Sequence, residues 1–117
     1  MTRTLLLIAI LAFAGAAAAA DFQLQRVSQG LRIVWGMDFL DENTLIFTER
    51  SGRVGLLDVQ SGKAKYLSGA AQVLAEGQGG MLDVARSPQF ERDGWIYFTY
   101  SKSIDGLGAT TLARARL

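Results

Sequence analysis

The 117-residue chain has no cysteine and no histidine, and only one proline. Without these side chains there is no thiol nucleophile, no Ser-His-Asp triad and no zinc or iron site built on imidazole or thiolate. Charge of one sign is missing too: 12 basic residues face 11 acidic ones. A balanced chain lacks the basic footprint that phosphate binding requires, so nucleic acid is not an expected partner. No Asp-x-Asp-x-Asp calcium loop, Walker segment or dinucleotide fingerprint occurs, and no metal ligand set is expected in this chain. Long apolar runs are confined to the first 20 residues.

Those 20 residues read as a secretory signal peptide. Arg3 gives the positive n-region, Leu5 to Phe13 the apolar core, and Ala18-x-Ala20 the small-x-small site, with cleavage expected after Ala20. The apolar core is too short for a spanning helix. The expected product is residues 21–117, periplasmic or secreted, with no membrane span after cleavage. Disulfides are permitted in that compartment, so a chain without cysteine must rely on packing.

What is present is a series of short strands separated by turns. Strands are expected over Arg32 to Leu40 (with a break near Gly36), Thr44 to Thr48, Val54 to Val59 and Lys63 to Leu67. Their β-branched and aromatic content and the Asp-Glu-Asn and Ser-Gly turns between them support this. A second unit follows: a glycine-rich turn at Gly77-Gln78-Gly79-Gly80, strands over Met81 to Arg86 and Trp95 to Tyr100, a polar flexible stretch from Ile104 to Gly108, and a strand from Ala109 to Leu117. No helical period is visible. Gly36-Met37 and Gly80-Met81 stand 44 residues apart, and Phe47-Thr48 and Phe98-Thr99 stand 51 apart. A repeat of that length made of short strands is the mark of propeller blades. The fold class is all-β, a β-propeller of which one whole blade and three strands of a second are present, and the chain is read as an incomplete N-terminal part.

Few residues are placed for chemistry. Asp41-Glu42 and Glu91/Asp93 sit in turns and read as solvated carboxylates. Glu49-Arg50 is either an exposed hairpin-end pair or a place where Arg50 meets a polar channel or a neighbouring blade. Trp35 and Trp95 read as inter-blade core. Asp83 stands inside an apolar strand, where a buried carboxylate needs backbone or arginine partners; Arg86, three residues on, points to the opposite strand face. Gln78, held among glycines, is either a solvated side chain on a tight loop or a residue that offers two donors and an acceptor to a polar small molecule.

The ordered set Trp35-Gly36-Met37-Asp38-Phe39-Leu40, Thr48-Glu49-Arg50-Ser51-Gly52-Arg53, Gly77-Gln78-Gly79-Gly80-Met81-Leu82-Asp83-Val84-Ala85, Ser87-Pro88-Gln89-Phe90, Ile96-Tyr97-Phe98-Thr99-Tyr100 and Thr111 to Leu117 resembles the glucose/sorbosone dehydrogenases, the soluble quinoprotein aldose dehydrogenases. The resemblance runs from Gly30 to Leu117. Val34 stands where that family usually has proline, and Ser87 where it often has histidine. The resemblance implies a six-bladed propeller with pyrroloquinoline quinone (PQQ) and calcium. It further implies oxidation of an aldose C1 hydroxyl to the lactone, with hydride passing to the quinone and electrons to an acceptor. It places Gln78 beside cofactor and sugar, and the general-base histidine downstream, so no catalytic residue is expected in this chain and the chain alone is expected to be inactive. A non-catalytic propeller module for binding or interaction is the alternative.

Overall fold

The computed structural model describes residues 22–117. The signal-peptide reading and its cleavage site lie outside these residues. Among the described residues no helix is long and apolar enough to cross a membrane.

Two antiparallel meanders pack face to face. The first holds β1 (Val34–Phe39), β2 (Thr44–Glu49), β3 (Val54–Asp58) and β4 (Ala64–Tyr66) in that order. The second holds β5 (Met81–Arg86), β6 (Trp95–Ile104) and β7 (Leu107–Arg116). These are two successive propeller blades. β1 is broken by a bulge between Val34 and Met37, around the glycine where a break was expected, and β5 bulges at the matching place between Met81 and Val84.

Alternation along β2 explains how the blades meet. Ile46 faces the second sheet and packs with Leu40, Val54, Met81, Val84 and Ile96. Leu45 and Phe47 point the other way, into a smaller cluster with Leu57, Leu31, Val34 and Val59. β2 is therefore buried on both faces, which its continuous apolar run anticipates. Burial of a side chain the size of Ile46 or Phe47 stabilises by about 1.5–3 kcal/mol.

Polar links fix the two sheets. The hydroxyl of the fully buried Thr48 accepts from Gly36 N–H (3.0 Å) and donates to the Leu82 carbonyl of the neighbouring blade. Arg86 N–H donates to Asp38 Oδ2 (2.7 Å), and Arg86 Nη1 donates to the Leu40 carbonyl (3.0 Å). Arg86, set aside in the sequence for its orientation, is thus a blade-to-blade tie.

Two connections differ from the expectation. The connection before β6 contains a one-turn helix, α1 (Phe90–Asp93), too short to show a period. Asp93 staples it, accepting from Ser87 Oγ (2.7 Å) and Trp95 N–H (2.9 Å), and the Trp95 N–H holds this carboxyl below its ordinary range. The stretch from Ile104 to Gly108 is no flexible loop. Ile104 pairs with Leu107 across a two-residue turn, Asp105 (φ 50) and Gly106 (φ 81), the positive pair that a type I′ hairpin requires.

Candidate functional site at the start of the second blade

Strand direction gathers four segments at one end of the sheets. Val34 is opposite Glu49, and Met81 is opposite Tyr100. The residues before β1, the β2–β3 turn, the loop before β5 and the tip of the β6–β7 hairpin therefore share one face. Gln78 lies here, exposed, on the turn Glu76 to Gly79 closed by Gly79 N–H to the Glu76 carbonyl (2.7 Å). Positive φ falls on Gly77 (φ 53), the first central residue, as in a type II′ turn. The segment is anchored behind by Leu74 N–H to the Ser101 carbonyl (2.8 Å) and Ser101 N–H to the Gly80 carbonyl (2.8 Å).

Arg50 meets this loop from the first blade. Its Nη2 donates to the carbonyls of Gly77 (2.7 Å) and Ala75 (3.1 Å). Its own carbonyl accepts from Met81 N–H (3.0 Å), and its N–H donates to the Ile33 carbonyl (2.8 Å). Of the two readings open for Arg50, the inter-blade contact is the one found. Open clefts of about 330 Å³, walled by Arg32, Arg50, Ser51 and Ala75, and about 380 Å³, walled by Leu74, Glu76, Gly79, Ser101 and Thr110, flank the loop. A gap of about 290 Å³ between the sheets at Leu67–Ala70 has mainly apolar walls and lies away from Gln78.

Glu49 does not pair with its neighbour Arg50. Its side chain is fully buried and bound to Arg53, with Nε donating at 2.6 Å, to Tyr66 Oη (2.7 Å) and to Arg32 N–H (2.9 Å). Burial by itself raises its pKa, but the Arg32 N–H, the Tyr66 hydroxyl and the Arg53 guanidinium outweigh burial and hold it below the ordinary value of 4.5. A carboxyl with a depressed folded-state pKa stabilises the fold above its unfolded pKa and loses that contribution as pH falls through the folded one. Wild type should therefore lose stability more steeply than Glu49→Gln below pH 4.5. Urea midpoints measured from pH 7 down to 3 check this, and parallel profiles would refute it. Asp41, Asp58 and Asp93 are depressed as well, but they act alike in both proteins.

Other expectations change. Asp83 is exposed, not buried; it lies in the bulge of β5, and its Oδ1 accepts the adjacent Val84 N–H (2.9 Å). Trp35 is 47% exposed, and Trp95 lies under the guanidiniums of Arg114 (4.2 Å) and Arg116 (4.4 Å); neither belongs to the core cluster between these blades. Among the described residues no three His, Cys, Asp or Glu side chains gather as a metal site. The sequence alone does not show that Arg50 holds this loop.

Residues 31–117 match the Glucose / Sorbosone dehydrogenase family. The aldose sugar dehydrogenase YliI of Escherichia coli is 33% identical over 103 residues, covering 86% of this chain and 28% of that protein. A crystal structure of the soluble aldose sugar dehydrogenase from Escherichia coli, in the apo form, superposes with a TM-score of 0.73 at 33% identity over 80% of this chain and 27% of that one. The PQQ-bound aldose sugar dehydrogenase of Streptomyces coelicolor superposes with a TM-score of 0.71 at 25% identity over 78% of this chain and 26% of that one. This chain spans 24% and 28% of the length of two curated relatives it matches. With the blade pattern, the glycine turn and these likenesses in agreement, the chain belongs to the glucose/sorbosone dehydrogenase family.

Proposed function

We propose that residues 21–117 are the N-terminal part of a periplasmic, PQQ-dependent sugar dehydrogenase exported by the signal peptide at residues 1–20. The intact enzyme oxidises the C1 hydroxyl of an aldose to the lactone and passes electrons to an acceptor. The observation that carries this reading is the exposed Gln78 on a turn held from both blades, within a family of sugar dehydrogenases.

PQQ is rich in carbonyl and carboxylate oxygens, so the groups that hold it are hydrogen-bond donors. The Gln78 amide fits that requirement, and as an acceptor it also suits a sugar hydroxyl. When bound, PQQ supplies the hydride acceptor; the protein supplies orientation and electrostatics. Gln78 orients, and this chain offers no imidazole to take the proton. The general-base histidine and the calcium ligands are placed on blades beyond residue 117. The chain alone is then inactive.

In the enzyme extended by those blades, Gln78→Ala should lower kcat/KM for an aldose by about ten- to a hundredfold, the loss expected for one or two hydrogen bonds to the reacting complex. An unchanged kcat/KM overturns the assignment of Gln78. Turnover of glucose by residues 21–117 alone, supplied with PQQ, calcium and a dye acceptor, overturns the claim that the other blades are required. The absence of histidine favours a second reading, a non-catalytic propeller module; an extended protein that neither binds PQQ nor oxidises an aldose supports it.

A further inference from the structure

We infer that Arg50 is a positioning residue for the sugar-dehydrogenase site, setting the loop that presents Gln78; the inference rests on the assignment of Gln78 above. Arg50 joins three segments at one point. Its backbone bonds both the chain leading into β1 (to Ile33) and the first residue of β5 (Met81), and its side chain bonds the loop itself. The loop's second link, through Ser101, comes from the second blade. Gln78 is thus suspended between two blades, and a shift between them is transmitted to its amide.

The geometry suits arginine better than a shorter donor. One Nη2 has two hydrogens in a fixed plane, and here it serves two carbonyls two residues apart in sequence, Ala75 and Gly77. Those two carbonyls flank Glu76, whose own carbonyl closes the turn. The guanidinium therefore fixes the direction of the chain into and out of the turn, while the turn's internal bond fixes its shape. With the donors removed, the turn loses its aim and its internal bond opens more often. Charged hydrogen bonds of this kind are stronger than neutral ones and restrict the backbone they hold.

The test uses the intact enzyme. Arg50→Met keeps the aliphatic stem and removes the donors; Arg50→Lys keeps the charge. Hydrogen exchange of the 76–80 amides is measured without PQQ, and kcat/KM for an aldose is measured with it. Exchange in Arg50→Met should rise about tenfold or more, as expected on loss of a charged hydrogen bond, and Arg50→Lys should restore part of the protection. Activity of Arg50→Met should fall severalfold. In a Gln78→Ala background the same change should cost little more, because a residue acting only through Gln78 cannot be lost twice. Unchanged exchange, or activity losses that multiply in the double variant, overturns the inference. If Gln78→Ala is itself silent, the assignment of Gln78 fails, while raised exchange in Arg50→Met still supports the clamp on the loop.

Discussion

Gly36→Val is expected to destabilise the protein by about 2–4 kcal/mol, a large share of the stability of an ordinary domain. The reason is contact between blades. A Cβ built on Gly36 would stand 2.7 Å from Asp83 Cα, 2.7 Å from Asp83 Oδ1 and 2.8 Å from Val84 N. Two of these atoms are backbone of the neighbouring sheet, so neither can swing aside. Overfilling a packed site costs about 1–3 kcal/mol by itself. Separating the sheets also stretches the one bond of the Thr48 bridge that crosses between them, from the hydroxyl to the Leu82 carbonyl, at about 1 kcal/mol. Thermal unfolding followed by tryptophan fluorescence measures the effect, with Met37→Val as the control. Met37 is adjacent but 58% exposed, and its replacement should stay near the wild-type midpoint. Equal midpoints for the two variants would show that the sheets separate at no cost.

Gly80→Ala is the second large effect, about 3–5 kcal/mol, and it strikes the site as well as the fold. Gly80 has φ +142, a conformation L-residues rarely adopt, and its added Cβ would stand 2.3 Å from the Arg50 carbonyl oxygen. That oxygen is the acceptor for Met81 N–H, so relieving the clash breaks the bond that starts β5. Gly77 in the same loop makes the comparison. Its φ is +53, but an added Cβ would meet nothing within 4 Å, so Gly77→Ala carries conformational strain alone, about 1 kcal/mol. The two variants differ in sterics while sharing composition and loop. If denaturant titration gives them the same loss, the close approach of Arg50 is not what demands glycine at position 80.

Alternation and turn chemistry made most of the fold legible in the sequence. Met81 to Arg86 was bounded to the residue, because an apolar run starts directly after glycines and stops before Pro88. The hairpin at Asp105-Gly106 was missed although Asp-Gly is a strong turn signal. The polar Lys102 and Ser103 masked strands that continue past the sheet body and need no apolar face there. Asp83 was misjudged for the opposite reason: a bulge shifts the alternation by one, and sequence spacing cannot show where a bulge falls.

The site was half legible. Gln78 could be singled out because glycines surround it, and the family resemblance gave it neighbours. The partner that holds its loop could not be found by spacing. Arg50 reaches over a distance of 25 residues to Ala75 and 27 to Gly77, and its bonds go to carbonyls, which every residue possesses. Glu49 shows the same limit. Its charge reads as surface, yet the fold supplies three donors and encloses it.

Each strand of these two sheets pairs with its neighbour in the chain. That order has a consequence for how the sheets assemble. Contacts closed by short turns carry a small loop-closure entropy, and chains rich in such contacts reach their structure quickly. Within each sheet no strand must await a partner made much later. The one long closure joins the sheets, across the stretch from Leu67 to Gly80 that carries Gln78. The segment that presents the amide is thus also the stretch of chain whose closure joins the two sheets, and its bonds to Arg50 belong to that closure.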